Sequence, residues 1–224
     1  MAGYIFSCII TIGLPLLLCI YAVYTRRWIP FLLGVLAFTV SQLFLRLPLL
    51  GYLEKNSIDY LFFSSQHPIW YAIGLGLSAA LAEEAARYAA IRYFMKQRDW
   101  LSGFLFGAGH GGIESVILVG IPIATMYLTA GDAGMPAIAG VERFFAILLH
   151  IGLSILVLQA VTRNRLLYLI LAIAVHTGIN AMIGILPLFI PREYMILSVE
   201  SILAIVSVSL FIWCILIKRK EVIE

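Results

Sequence analysis

The stretch LAEEAARYAAIRYF, from Leu81 to Phe94, places three charged side chains, Glu83, Glu84 and Arg87, inside a long apolar segment. A charged residue at the centre of a transmembrane helix costs about 2.5–3.5 kcal/mol on insertion scales. Such residues are expected to face the interior of a helix bundle, where they pair with one another or line a water-filled cavity. The stretch therefore predicts a membrane-spanning helix whose polar face is turned towards other helices.

The surrounding sequence is typical of a polytopic protein of the cell membrane. Its 224 residues are 62% hydrophobic and 12% charged, and its mean hydropathy is +1.03; a soluble domain has about twice that charged fraction. We predict an all-α transmembrane bundle that forms one integral membrane domain over 1–224, with the candidate active site on spans 3 to 6 (69–187). About seven spans of the roughly 20 residues that a bilayer requires are expected, at 3–24, 28–50, 69–94, 100–121, 138–161, 166–187 and 195–217.

The positive charges alternate between the predicted loops. Ten lysines and arginines fall in the loops on one side, whereas only Lys55 and Arg192 fall on the other. Cytoplasmic loops carry an excess of Lys and Arg. The N-terminus is therefore predicted to lie outside and the C-terminus in the cytoplasm.

Four predicted spans each carry a titratable side chain 10–14 residues from a membrane face, which is close to the midplane at about 1.5 Å per residue. Each of these residues also has a polar companion four positions later, and residues four apart share one face of a helix. The sequence thus predicts four polar faces at one depth, formed by the pairs Glu83/Arg87, His110/Glu114, His150/Ser154 and His176/Asn180.

These residue types permit hydrolysis of an acyl or peptide bond. A buried carboxylate such as Glu83 can serve as a general base near neutral pH, and a His or an Asn can donate hydrogen bonds to a developing oxyanion. No covalent nucleophile is predicted, because Ser154 lies one turn from His150 but no aspartate is placed to orient that histidine. Arg46 is expected to extend its side chain towards the membrane surface.

A zinc site is the alternative interpretation of the same residues. Catalytic zinc binds three protein ligands and keeps one position for water. Glu83 would then be the general base beside the metal, and the residues alone do not separate the two mechanisms. The predicted zinc ligands are His110, Glu114, His150 and His176.

Other classes of protein also fit parts of the pattern. Two histidines on facing helices can bind haem, and intramembrane acids and histidines can relay protons in a transporter. Glu84 with Arg87 can be a structural ion pair that holds helices together. Glu142 with Arg143 is interpreted as a pair near the outer interface.

Four short segments in this order resemble the YhfC family of intramembrane proteases, relatives of the CAAX-protease and bacteriocin-processing family and of the PrsW-type glutamic proteases. They are EEAAR (83–87), FGAGH (106–110), HIGLS (150–154) and HTGIN (176–180). The sequence departs from the CAAX-protease pattern, because Arg87 follows Glu84 by three residues, and because Glu114 and His150 have no counterpart in it.

The resemblance implies a role for each matched residue. Glu83 is the implied catalytic carboxylate with His110 as its partner, and His176 and Asn180 are the implied oxyanion-stabilising pair. Further residues of the site are Glu84, which we count with the catalytic set, and the supporting Arg87, Glu114, His150 and Ser154. The resemblance favours the glutamic type without a cofactor, and zinc is the alternative cofactor.

The expected partners are a hydrophobic peptide or membrane-anchored protein as substrate and the lipid bilayer, with no nucleic acid. A site at bilayer depth has to receive its substrate from within the membrane or through a cavity. The apolar piece from Pro122 to Ala130 is predicted to be an interfacial or re-entrant segment. The longer segment from Pro122 to Gly140 is predicted to form a mobile flap on the outer side.

Overall fold

The structure, a computed structural model, describes residues 1–130 and 136–223, and in this part of the chain every regular element is helical. The all-α prediction is confirmed. In chain order, the helices are α1 (Ala2–Tyr24) and α2 (Trp28–Asn56), α3 (Ile58–Gln66), α4 (Pro68–Ala89), α5 (Trp100–Thr129), α6 (Pro136–Thr162), α7 (Leu167–Ile185) and α8 (Arg192–Ile223).

Six helices of the described residues are long and apolar enough to cross a membrane, namely α1, α2, α5, α6, α7 with its short extension, and α8. Helix α4 has 22 residues, which is also sufficient length, but Glu83, Glu84 and Arg87 lower its hydropathy. The prediction of about seven spans is consistent with these helices. The sidedness of the termini stays a prediction from the charges.

The predicted boundary near Pro122 was wrong. Helix α5 continues through this proline as one helix of 30 residues, so residues 122–130 are neither a separate interfacial piece nor a flap. Residues 131–135 of the predicted flap lie outside the described residues, and residues 136–140 belong to α6.

Prolines explain the irregular turns in three of the helices. A proline inside a helix lacks an N–H and clashes with the carbonyl four residues before it, and a local π-helical turn can satisfy the backbone groups that this frees. Three of the four π-helical stretches in the described residues end two residues before a proline: Ile9–Gly13 before Pro15, Thr39–Arg46 before Pro48, and Val116–Gly120 before Pro122. The fourth, Ala90–Phe94, continues α4 and has no proline close behind it.

Helix α6 is at the centre of the bundle, since 83% of its most apolar window is buried against 22–39% for the other five candidate spans. Glycines allow α5 to pack directly on its neighbours. A Cβ on Gly107 would lie 2.7 Å from the carbonyl oxygen of His150 in α6, and a Cβ on Gly109 would collide with the backbone of Phe31 in α2. Small residues at such contacts are typical of membrane bundles, and here they bury His110 between α2 and α6.

Candidate active site

The polar faces predicted for α4, α5, α6 and α7 meet inside the bundle. The structure brings together the side chains of Glu83, Glu84, Arg87, His110, Glu114, His150 and His176. Ser154 lies outside these contacts, because its hydroxyl donates to the carbonyl of His150 in its own helix at 2.8 Å. Asn180 lines the cavity beside Glu83 and His176.

Glu83 is buried and held by a partner on each carboxylate oxygen. Gln42 in α2 donates its Nε2 to Glu83 Oε1 at 2.5 Å. The other oxygen, Oε2, is 2.9 Å from His110 Nε2 and 3.8 Å from His176 Nε2. The fixed Oε1 therefore leaves Oε2 facing two imidazole rings.

Gln42 is a member of the site that the sequence reasoning missed. It forms an i,i+4 pair with Arg46, the same spacing that identified the other polar faces. Arg46 does not extend to the membrane surface as predicted. Its guanidinium binds inwards, with NH1 donating to Gln42 Oε1 at 3.1 Å.

Glu84 and Arg87 form an ion pair that also positions histidines. Arg87 NH1 lies 2.6 and 2.7 Å from the two oxygens of Glu84. Glu84 Oε1 is 2.8 Å from His176 Nδ1, and Arg87 NH2 is 3.1 Å from His150 Nδ1. A carboxylate on one ring nitrogen orients the other nitrogen towards a metal or substrate. The ion pair thus helps to fix the orientation of the His150 and His176 rings.

Glu114 is held from the opposite side of the cluster. Arg143 in α6 donates NH1 to its Oε1 at 3.0 Å and also pairs with Glu142. The other oxygen, Oε2, lies 2.7 Å from His150 Nε2, but no aligned hydrogen bond reaches it. Arg143 therefore contacts the cluster itself rather than acting only at the interface.

The donor set fits a metal ion. One ligand atom each from Glu83, His110, Glu114 and His150 can be chosen so that all four lie within 4.8 Å of one another. Ligands of tetrahedral zinc are about 3.3–3.6 Å apart at the usual bond lengths, so the spacing of this set is close to that of zinc ligands. Buried His110 Nδ1 and Glu114 Oε2 also lack hydrogen-bond partners, which leaves them available as ligand atoms.

A cavity of about 80 Å³ adjoins the cluster and is lined by Glu83, Glu114, His150, His176 and Asn180, among others. It has room for a water molecule. Sites for larger organic ligands are usually about 300–1,000 Å³, so this cavity is too small for haem. The size of the cavity thus disfavours the bis-histidine haem interpretation.

The sequence has relatives that bear on the chemistry. A family model described as YhfC intramembrane metalloprotease matches residues 7–134 and 132–206. The chain is 32% identical over 188 residues to the "Uncharacterized membrane protein YhfC" of Bacillus subtilis (strain 168), which covers 69% of this chain and 71% of the relative. No solved structure matches the chain. These findings support neither the predicted glutamic type, nor the absence of a cofactor, nor the likeness to CAAX proteases.

Proposed function

The chain belongs to the YhfC family of intramembrane metalloproteases, and we propose that it is a zinc-dependent peptidase that hydrolyses peptide bonds of hydrophobic or membrane-anchored substrates. The observation that carries this proposal is the group Glu83, His110, Glu114 and His150, whose ligand atoms lie within 4.8 Å. Three of its members, His110, Glu114 and His150, are zinc ligands in our proposal, and Glu83 is the general base. Bound zinc supplies Lewis acidity to the attacking water and to the scissile carbonyl.

Glu83 carries out the proton transfer. Its Oε2 takes a proton from the attacking water and returns it to the leaving amine as the C–N bond breaks. Gln42 holds Oε1 at 2.5 Å, which leaves Oε2 as the oxygen that exchanges the proton. Water adds to the acyl carbon, and the products are a carboxylic acid and an amine.

His176 and Asn180 stabilise the oxyanion that develops on the scissile carbonyl. The Nδ1 of His176 binds Glu84 at 2.8 Å, so its Nε2 is directed towards the reacting groups. Donation from both nitrogens would require a doubly protonated ring, which the neighbouring carboxylates of Glu83 and Glu84 would stabilise. The Asn180 amide adds a second donor from the cavity wall.

Arg87 couples the ion pair to the ligand His150. A guanidinium only donates hydrogen bonds, so His150 Nδ1 accepts in the Arg87 contact of 3.1 Å. If His150 held zinc through Nε2, its ring proton would lie on Nδ1, and this N–H and the Arg87 N–H would then oppose each other. We therefore expect zinc binding to release Arg87 NH2 from His150 and leave the guanidinium on Glu84.

Zinc content tests this proposal without knowledge of the substrate. We expect about one zinc per chain in the purified protein, removal by 1,10-phenanthroline, and loss of zinc in His110→Ala. The matched control is His67→Ala, because His67 is exposed at the start of α4. Equal zinc content in the His110→Ala and His67→Ala proteins, or a zinc-free active wild type, would contradict the proposal.

A further inference from the structure

Arg46 is a cation held only by neutral groups among the described residues. Its Nε donates to Ser78 Oγ at 3.1 Å, its NH1 to Gln42 Oε1 at 3.1 Å, and its NH2 to the Leu75 carbonyl at 2.8 Å. A guanidinium has five N–H groups, so two N–H groups remain for another partner. Carboxylates are the strongest partners for such a group.

The guanidinium lies at a groove that adjoins the catalytic cavity. A cavity of about 400 Å³ is lined by Arg46, Tyr71 and Asn180, with small residues such as Ala72 and Gly184 along its wall. Asn180 also lines the 80 Å³ cavity beside Glu83 and His176. The groove and the catalytic cavity therefore lie along the same wall residue, Asn180.

The distance from Arg46 to the catalytic carboxylate is short. A single side chain, Gln42, separates them, with hydrogen bonds of 3.1 Å to Arg46 and 2.5 Å to Glu83. The guanidinium is therefore within about 10 Å of the reacting oxygen, which an extended peptide spans in about three residues.

We propose that this groove binds the substrate peptide beside the bond that is cut, and that Arg46 binds a carboxylate of the peptide within about three residues of that bond. The inference rests on the proposed peptidase function and adds a substrate class to it, namely apolar peptides with a nearby negative charge. The carboxylate belongs either to an Asp or Glu side chain or to the free C-terminus of the substrate.

The test uses apolar ten-residue peptides with a fluorophore, and the full-length zinc-loaded protein in nanodiscs of neutral lipid. One series carries Asp, Asn or Lys at successive positions, and another has a free or an amidated C-terminus. Binding is followed by fluorescence anisotropy and the cut position by mass spectrometry. The two series separate a side-chain carboxylate from a terminal one.

We expect one of the anionic probes to bind about 10–100-fold more tightly than its neutral counterpart, as charge-assisted hydrogen bonds imply. Arg46→Gln abolishes the difference, and Arg46→Glu reverses it in favour of the Lys probe. A merely structural role for Arg46 does not produce this reversal. The control is Arg192→Gln, at an exposed position at the start of α8.

Equal binding of anionic and neutral probes by the wild type, absence of binding by every probe, or a preference that survives Arg46→Gln overturns the inference. A preference that disappears when phosphatidylglycerol is added also overturns it, because Arg46 then binds a lipid phosphate. These outcomes are separate from failure of the proposed function, which appears as a wild-type protein without zinc.

Discussion

Replacement of Glu83 by Gln separates a general base from a zinc ligand. The substitution keeps the shape of the side chain, and its amide oxygen can still accept from Gln42, which donates to Glu83 Oε1 at 2.5 Å. Its amide nitrogen takes the place of Oε2, which lies 2.9 Å from His110 Nε2, so the hydrogen bond that Oε2 accepts from a zinc-bound His110 is lost. Because the shape is kept, the cluster remains folded, but the oxygen that accepts the proton is lost.

Loss of the general base is expected to lower kcat about 10²–10⁴-fold, which corresponds to about 3–5 kcal/mol in the activation barrier. Zinc should stay bound, with affinity reduced by no more than the roughly 10–100-fold typical of an outer-shell change. The assay combines cleavage of the fluorescent peptides, zinc analysis and thermal unfolding. Glu54→Gln, at an exposed position near the end of α2, is the control.

Two results would refute the assigned roles. Cleavage at the wild-type rate by Glu83→Gln would remove Glu83 from the chemistry. Loss of zinc from Glu83→Gln together with its retention in Glu114→Gln would exchange the roles of the two carboxylates.

Three further substitutions test other parts of the site. Asn180→Ala should lower kcat about 10²–10³-fold, as loss of one oxyanion donor does, while zinc content is unchanged; an unchanged kcat would exclude this role. Arg87→Met leaves the Glu84 carboxylate buried without the Arg87 guanidinium, so we expect a loss of about 3–5 kcal/mol in unfolding free energy. The double variant with Glu84→Gln should recover most of this loss. Thermal unfolding checks both, and no loss in Arg87→Met would argue against a buried ion pair. Gly107→Val would press a side chain against the backbone of α6 and should lower both folded yield and zinc content, whereas Gly51→Val, with open space around its Cβ position, should change neither.

The sequence predicted the meeting of the polar side chains inside the bundle better than the contacts among them. Charged and imidazole side chains are costly in lipid, so residues such as Glu83 and His176 had to face the bundle interior whatever the helix rotations. Which residues pair depends on those rotations. The spacing shows that Asn180 and His176 share one face of α7. It does not show that His176 Nδ1 binds Glu84 on another helix.

Gln42 was missed for a related reason. The sequence reasoning started from titratable residues, and a neutral amide in a span is an ordinary interhelical hydrogen-bonding group. Its role depends on how the π-helical stretch Thr39–Arg46 turns the C-terminal part of α2. The findings favour the zinc alternative over the predicted metal-free mechanism. The close approach of α5 and α6 at Gly107 brings His110 and Glu114 near His150, and the sequence alone does not show this approach.

The π-helical stretch of α2 has a consequence for how the family diverges. A π-helical turn holds one residue more than a regular helical turn, so a single deletion there restores regular helix and changes which side chains of the stretch face α4. A single-codon deletion between Gln42 and Arg46 would thus change the direction in which Arg46 leaves α2 and break its contact with Leu75, while Gln42 keeps its place beside Glu83. Relatives with and without that residue are therefore expected to differ in the charge of the peptides that they cut. Such a change in substrate preference leaves the residues that perform the chemistry in place.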